Sequence, residues 1–148
     1  MVNDSVTAIP FRLLKRVLPQ HTDHGGVMWH GAYVAWLEEA RVEALEAIDF
    51  PYQRFVATGL DMPVVRLEIR YREALRLGDE VVLESLPRPR LGVRWPWTTR
   101  FIRDGVCMAD AEVELVLVQN QGVLKVLRHP PAEVAEVFAT LTGGSAST

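Results

Sequence analysis

The sequence contains a single cysteine, Cys107, so an intramolecular disulfide is excluded. It also lacks an excess of one charge, since 16 basic and 19 acidic residues leave a net charge of −3 at pH 7. This balance provides no general attraction to nucleic acid. No apolar run is long enough to span a bilayer, and residues 1–10 carry no basic segment followed by a long apolar one. We therefore expect a cytoplasmic protein that binds neither nucleic acid nor membrane.

What the sequence does contain is enough apolar material for one core. The 148 residues are 49% hydrophobic, which suits a single domain. No internal repeat or linker divides the chain. We expect a polar lead-in over residues 1–10, one domain over residues 1–142, and a flexible tail over residues 143–148.

The spacing of apolar residues predicts one long helix and six strands. From Tyr33 to Ile48 they recur at steps of three and four, and the buried face is rich in alanine, which lets a sheet approach closely. A period of two dominates afterwards, with two shorter helices over 52–59 and 132–141. The predicted strands are 11–18, 65–72, 80–86, 93–103, 106–118 and 123–127. This order predicts an α+β chain in which a curved antiparallel sheet of five or six strands wraps around one long central helix.

The segment from His21 to Tyr33, directly before this helix, combines three features of chemical interest. Asp23 supplies a carboxylate, the Gly25-Gly26 pair permits a tight turn, and the helix start offers unpaired N–H groups. A carboxylate in such a place can attack a carbonyl, or activate water, while backbone donors hold the oxyanion. The alternative role of Asp23 is that of a helix cap or turn residue. Capping fits poorly, because Asp23 lies several residues before the helical period begins.

The order of elements and the segment from Thr22 to Tyr33 (TDHGGVMWHGAY) resemble the hotdog-fold acyl-CoA thioesterases of the 4-hydroxybenzoyl-CoA thioesterase-like family. A second similar stretch is 71–80 (YREALRLGDE), where one family strand ends and the next begins. The resemblance implies a hotdog fold and hydrolysis of a thioester to a free acid and coenzyme A. It also implies a homodimer or homotetramer with active sites at subunit interfaces.

The resemblance assigns roles to residues of the motif. Asp23 occupies the position of the catalytic carboxylate, which acts as nucleophile or as general base on water. The N–H near His30 would hold the thioester oxygen, and the His30 side chain could orient substrate or water. Gly26 would let the loop pass the thioester, and Trp29 and Tyr33 are expected to contact the substrate. The chain departs from the family pattern at His21, Met28 and Trp29, which bears on substrate size and local electrostatics.

Two further groups of polar residues are candidates for binding sites. Arg88 and Arg90 lie in a proline-rich connector and could bind the phosphates of coenzyme A, although a solvated turn is the equal alternative. The spacing of His21, His24 and His30 matches no zinc signature, so we expect no metal. We expect no cofactor apart from the coenzyme A of the substrate.

The expected activity is that of an acyl-CoA thioesterase, with an aromatic acyl group of the benzoyl or naphthoyl type favoured over short aliphatic ones. Two alternatives remain open. One is a hotdog dehydratase, whose usual acid–base pair is not the arrangement seen around Asp23. The other is a non-catalytic protein that binds acyl thioesters without turnover.

Overall fold

The computed structural model of the protein describes residues 9–143. The predicted lead-in and tail therefore lie outside the described residues, apart from Ile9, Pro10 and Gly143. The chain forms eight strands and three α-helices in this order: β1 (Phe11–Arg16), α1 (His30–Ala47), α2 (Tyr52–Ala57), β2 (Leu60–Asp61), β3 (Val64–Tyr71), β4 (Glu80–Pro87), β5 (Arg94–Arg103), β6 (Val106–Val116), β7 (Val118–Asn120), β8 (Leu124–Val126) and α3 (Ala132–Leu141).

The main sheet has five antiparallel strands in the order β1-β4-β5-β6-β3, and α1 packs against it. This arrangement confirms the predicted α+β class and the hotdog fold. The last predicted strand does not join the main sheet. It pairs with β7 in a separate three-stranded sheet of order β2-β7-β8. The long predicted strand over 106–118 divides at Leu117, whose carbonyl accepts a hydrogen bond from the Leu127 N–H at 2.9 Å.

Helix α1 has the alanine-rich buried face that its sequence predicts. Ala40 and Ala44 are fully buried, so the helix backbone lies close to the sheet. The helix begins at His30, three residues before the predicted start. The cap residue Trp29 and the first residue His30 are exposed, whereas Ala32 is buried, so no apolar period marks the start of the helix.

The core is divided into two clusters, one near the start of α1 and one near its end. Each includes part of the buried face of β5, where Trp95, Trp97, Thr99 and Phe101 lie inside. The first cluster is built around Trp36, Leu75 and Phe101. The second is built around Phe55, Trp97 and Phe138. The two ends of α1 therefore rest on different parts of the core. No helix within residues 9–143 is both long and apolar enough to cross a membrane.

Strand β3 is more exposed than its alternation of apolar and charged residues indicates. Val65, Leu67 and Tyr71 are 49%, 41% and 53% exposed. Ile69 packs against the first core cluster, and Tyr71 meets the buried Tyr33 edge-on. The cause is position: β3 is the edge strand, and its other edge pairs with no strand among the described residues. A single chain thus leaves an apolar strip along this edge.

Candidate active site

The loop that carries Asp23 is a tight hairpin closed by backbone hydrogen bonds. A 3-10 turn over Pro19–His21 leads into it, and Thr22 bridges to Met28 across it. The Asp23 N–H donates to the Val27 carbonyl at 2.9 Å, and the Gly26 N–H donates to the Asp23 carbonyl at 3.1 Å. Gly26 adopts a φ of 76°, in the left-handed region that favours glycine. The loop therefore has a defined conformation that depends on this glycine.

The Asp23 carboxylate is held in one orientation while remaining open to solvent. Its Oδ1 accepts hydrogen bonds from the N–H groups of Gly25 at 2.9 Å and Val27 at 3.1 Å. Within residues 9–143, Oδ2 has no hydrogen-bond partner. One oxygen is thus anchored and the other is free to react.

A second segment, residues 75–77, ties this loop to the fold. The Met28 N–H donates to the Leu75 carbonyl at 2.8 Å, and the Leu77 N–H donates to the Gly26 carbonyl at 3.0 Å. The Leu75 side chain is fully buried in the first core cluster. Residues 75–77 belong to the second stretch that resembles the family, 71–80, and their hydrogen bonds hold the Asp23 loop in place.

His21 also supports the loop, a role that its sequence position did not reveal. Its Nδ1 accepts a hydrogen bond from the Leu18 N–H at 3.0 Å, and its carbonyl accepts one from the Trp29 N–H at 3.0 Å. The ring meets Trp36 edge-on at 5.1 Å between centroids. Burial lowers the pKa of His21, and nearby Lys15 lowers it further. The accepting Nδ1 and the lowered pKa both favour the neutral imidazole.

Helix α1 starts beside this loop without a side-chain cap. Trp29 is the cap residue, and its carbonyl accepts the Ala32 N–H at 2.9 Å. In the described part of the chain, the N–H groups of His30 and Gly31 have no acceptor. Unpaired N–H groups at a helix start carry partial positive charge and suit a developing oxyanion.

The Trp29 indole lies over this helix start. A Cβ placed on Gly31 would meet the ring at 2.1 Å, so glycine is what allows the indole to lie there. The ring meets His30 edge-on at 5.3 Å, and Trp29 is 46% exposed. An open depression on the surface is lined by Asp23, His24 and Trp29 together with Pro19 and Thr22. Asp23 and Trp29, two of the predicted site residues, therefore share one surface.

The other predicted site residues are placed differently. His30 lies at the adjoining helix start and is exposed. Tyr33 is buried, packed edge-on against Tyr71 and Phe101, and its burial raises the pKa of its hydroxyl. It does not line the depression. Among residues 9–143, no group of three or more His, Cys, Asp or Glu side chains lies close enough to hold a metal ion.

Arg88 and Arg90 lie at the opposite end of β4 from the Asp23 loop. Eight residues of strand separate the two ends, about 23 Å at the usual rise of a strand. Arg90 donates to the carbonyls of Arg128 at 2.6 Å and Gly92 at 3.3 Å and stacks over Trp95. Arg88 is exposed. Within one chain the structure does not bring these arginines to Asp23, and their binding role stays a prediction.

A separate cavity of about 440 Å³ lies towards the other end of α1. Its lining includes Glu38 and Arg41 of α1, Tyr52 of α2, and Asp61 of β2. Asp23 is not part of it. Nothing in the spacing of the sequence shows that Glu38 and Arg41 border a cavity.

Comparison with known proteins places this geometry in a family. Residues 17–138 match the thioesterase-like superfamily. A putative esterase, sll0410, from Synechocystis is 37% identical over 135 residues, covering 90% of this chain and 81% of that protein. The acyl-CoA thioesterase YbgC of Haemophilus influenzae is 30% identical over 124 residues, covering 83% and 90%. The crystal structure of the hypothetical protein AQ1494 from Aquifex aeolicus superposes with a TM-score of 0.79 at 26% identity, covering 87% of this chain and 99% of that one. The chain belongs to the thioesterase-like superfamily.

Proposed function

We propose that this protein hydrolyses an acyl-CoA thioester to a free acid and coenzyme A, with Asp23 as the reacting carboxylate. Superfamily membership and the similarity to proteins named acyl-CoA thioesterase support the reaction class. The observation that carries the site is the Asp23 carboxylate itself. Two backbone N–H groups fix its Oδ1, its Oδ2 is free, and an uncapped helix start lies beside it.

The chemistry follows from these positions. The thioester carbonyl would lie between Asp23 and the N–H groups of His30 and Gly31. Asp23 either attacks the carbonyl carbon, forming an anhydride that water then opens, or takes a proton from an attacking water. In both routes a C–O bond forms, the C–S bond breaks, and coenzyme A leaves as a thiolate that then takes up a proton. The helix N–H groups hold the negative charge that develops on the carbonyl oxygen.

For the substrate we retain an aromatic acyl group as the expected class. Trp29 supports this proposal because its half-exposed indole lines the same depression as Asp23 and offers a flat apolar surface. Coenzyme A would extend away from the helix start, and Arg88 and Arg90 remain candidates for its phosphates. Their separation from Asp23 is compatible with binding coenzyme A at the site of a neighbouring subunit.

We also propose that the protein works as a homodimer or homotetramer in the cytoplasm. The uncovered apolar strip along β3 supports association, since Val64, Val65, Leu67 and Tyr71 are all more than 40% exposed on an edge strand.

The proposal is tested by thiol release from aromatic and aliphatic acyl-CoA esters, with wild type, Asp23→Asn and the charge-matched control Glu46→Gln compared. Asparagine can still accept the N–H bonds of Gly25 and Val27 but cannot act as base or nucleophile. We expect Asp23→Asn to lower kcat by about 10²–10⁴-fold. Glu46→Gln should stay near wild type, because Glu46 is exposed near the end of α1 and does not line the depression that holds Asp23.

Two outcomes would reject this assignment. Wild-type protein that binds coenzyme A esters without turning over any of them would be a binding protein. An Asp23→Asn variant that retains wild-type kcat would remove Asp23 from the chemistry.

A further inference from the structure

One stripe of helix α1 leads from the candidate active site to the separate cavity. His30, Val34, Glu38, Arg41 and Leu45 recur at steps of three and four, so they lie on one side of the helix. A cleft of about 180 Å³ between this stripe and β3 begins at Val34. It shares Glu38, Arg41 and Val64 with the cavity of about 440 Å³, so the two form one groove along α1.

The larger cavity of this groove has an apolar floor and a polar rim. Its apolar lining is largely aromatic and aliphatic: Leu45, Phe55, Met62, Trp97, Leu115 and Phe138. At the rim, the Tyr52 hydroxyl donates to Asp61 Oδ1, which also accepts the Met62 N–H at 2.7 Å. The Asp61 carboxylate is therefore already occupied by neighbours in its own chain.

Arg41, in contrast, is a half-buried guanidinium with nothing to bind. Among residues 9–143 it has neither a hydrogen bond nor an acidic group within 4.0 Å, whereas the arginines on strands β1, β3 and β5 all make ion pairs. Burial lowers its pKa, against the opposing charge of Glu38. Glu38, three residues earlier on the same helix, is exposed and likewise unpaired in the described chain.

A guanidinium in this position recognises one kind of partner best. Its five N–H donors match a carboxylate, which can accept two parallel hydrogen bonds and compensate the charge. The Cα–Cβ bonds of a helix tilt towards its N-terminus, so the Arg41 side chain leaves the helix on the side of His30. The helix rises by about 16 Å between His30 and Arg41. Because the arginine side chain is long, the distance that a ligand must span from the helix start to the guanidinium is shorter than this rise.

We propose that the groove binds an acyl group with an apolar body and a terminal carboxylate, and that Arg41 pairs with that carboxylate. This inference rests on the proposed thioesterase function and names the substrate class of the same site. The thioester lies at Asp23 and the helix start, the apolar body follows the cleft beside Val34 and Val64, and the second carboxylate reaches Arg41. The preferred substrates are thus coenzyme A esters whose acyl group, on an aromatic or an aliphatic body, ends in a second carboxylate.

The test compares suberoyl-CoA with octanoyl-CoA, which have the same chain length and differ in the terminal carboxylate. For wild type we expect a kcat/KM ratio that favours suberoyl-CoA. In Arg41→Gln that ratio should fall by about 10- to 150-fold, the range for a lost hydrogen bond to a charged group. Arg41→Lys should retain part of the ratio. Arg12→Gln, which removes a surface guanidinium paired with Glu84 on β4, should leave the ratio unchanged.

A second variant distinguishes a carboxylate from a hydroxyl at the far end of the acyl group. Glu38→Gln removes a negative charge beside Arg41, so it should raise the preference for suberoyl-CoA. Two results together would overturn the carboxylate assignment. Glu38→Gln would lower the preference for suberoyl-CoA, and the wild-type enzyme would have a higher kcat/KM for an ω-hydroxyoctanoyl ester than for suberoyl-CoA.

Other results separate this inference from the proposed function. Efficient hydrolysis of octanoyl-CoA with no preference for suberoyl-CoA overturns the inference and leaves the thioesterase intact. A suberoyl-CoA to octanoyl-CoA ratio that is unchanged in Arg41→Gln also overturns the inference. If the variant also forms a smaller assembly in size-exclusion chromatography, Arg41 pairs with a second copy of the chain. Absence of hydrolysis of every thioester rejects the proposed function itself.

Discussion

The Asp23 loop lies at the start of α1, the Arg41 groove runs along the same helix, and the two regions hold their charged groups in opposite ways. Asp23 is exposed, yet backbone N–H groups hold one of its oxygens. Arg41 is half-buried, yet no residue within 9–143 pairs with it. The first arrangement defines a geometry before any ligand arrives. The second leaves a charge that a ligand can satisfy, so we assign chemistry to the loop and selectivity to the groove.

The largest expected effect comes from truncating one buried leucine in each of the two regions. Leu75 lies under the Asp23 loop and Leu45 lines the groove, and both are buried. Each Leu→Ala change should lower the free energy of unfolding by about 2–5 kcal/mol, measured by urea titration. Leu75→Ala should also lower kcat on every thioester, because the loop loses its support. Leu45→Ala should instead change the order of preference among acyl groups. Identical kinetic profiles for the two variants would show that the loop and the groove do not have separate roles in chemistry and selectivity.

A smaller effect separates the geometry of Asp23 from its charge. Asp23→Ala removes the acceptor for the Gly25 and Val27 N–H groups, whereas Asp23→Asn keeps it. We expect Ala to lower the free energy of unfolding by about 1–2 kcal/mol relative to Asn, with similar losses of kcat in both. Thermal melts alongside kinetics would measure this. Equal stabilities would mean that the loop keeps its conformation without the carboxylate bonds.

The smallest effect concerns pH and His21. Because burial holds its pKa below 6.5 in the folded protein, the unfolded state binds more protons as the pH falls below that value. The His21 contribution to stability is therefore complete above pH 6.5 and is lost as the pH falls through the lower folded pKa. Lys15 and Glu39 face the ring and are paired with each other at 2.9 Å.

Urea titrations of wild type and His21→Gln between neutral and mildly acidic pH would show this difference. The wild type should lose more stability than the variant. Parallel curves for wild type and His21→Gln would contradict the role of the neutral imidazole in the Asp23 loop.

The fold was largely predictable because its apolar periods are clear. The C-terminal helix has the predicted bounds of 132–141, and the five strands of the main sheet lie within a few residues of their predicted positions. The small sheet was not predicted as separate, because the break at Leu117 is set by pairing with Leu127 rather than by local sequence. The exposure of β3 was missed for a related reason. Alternation shows that a strand has an apolar face but not whether its own chain covers that face.

The candidate site was predictable in its motif and less so in its extent. The sequence predicted that Asp23, Trp29 and the helix start lie close together in space, because they are close together in the chain. Tyr33 belongs to the same motif, but the helix turns its side chain into the core. The roles of His21 and Leu75 depend on hydrogen bonds between distant segments, and the cavity beside Arg41 forms only when α1, α2 and β2 meet. No spacing rule in the sequence encodes such tertiary contacts.

The placement of Trp29 over Gly31 gives the protein a natural optical probe. Of its four tryptophans, Trp36, Trp95 and Trp97 are at most 5% exposed, whereas Trp29 is 46% exposed. A charged collisional quencher such as iodide therefore reaches the emission of one indole and leaves that of the other three. Since that indole borders both the Asp23 depression and the start of α1, intrinsic fluorescence monitors occupancy of the candidate site without any added label.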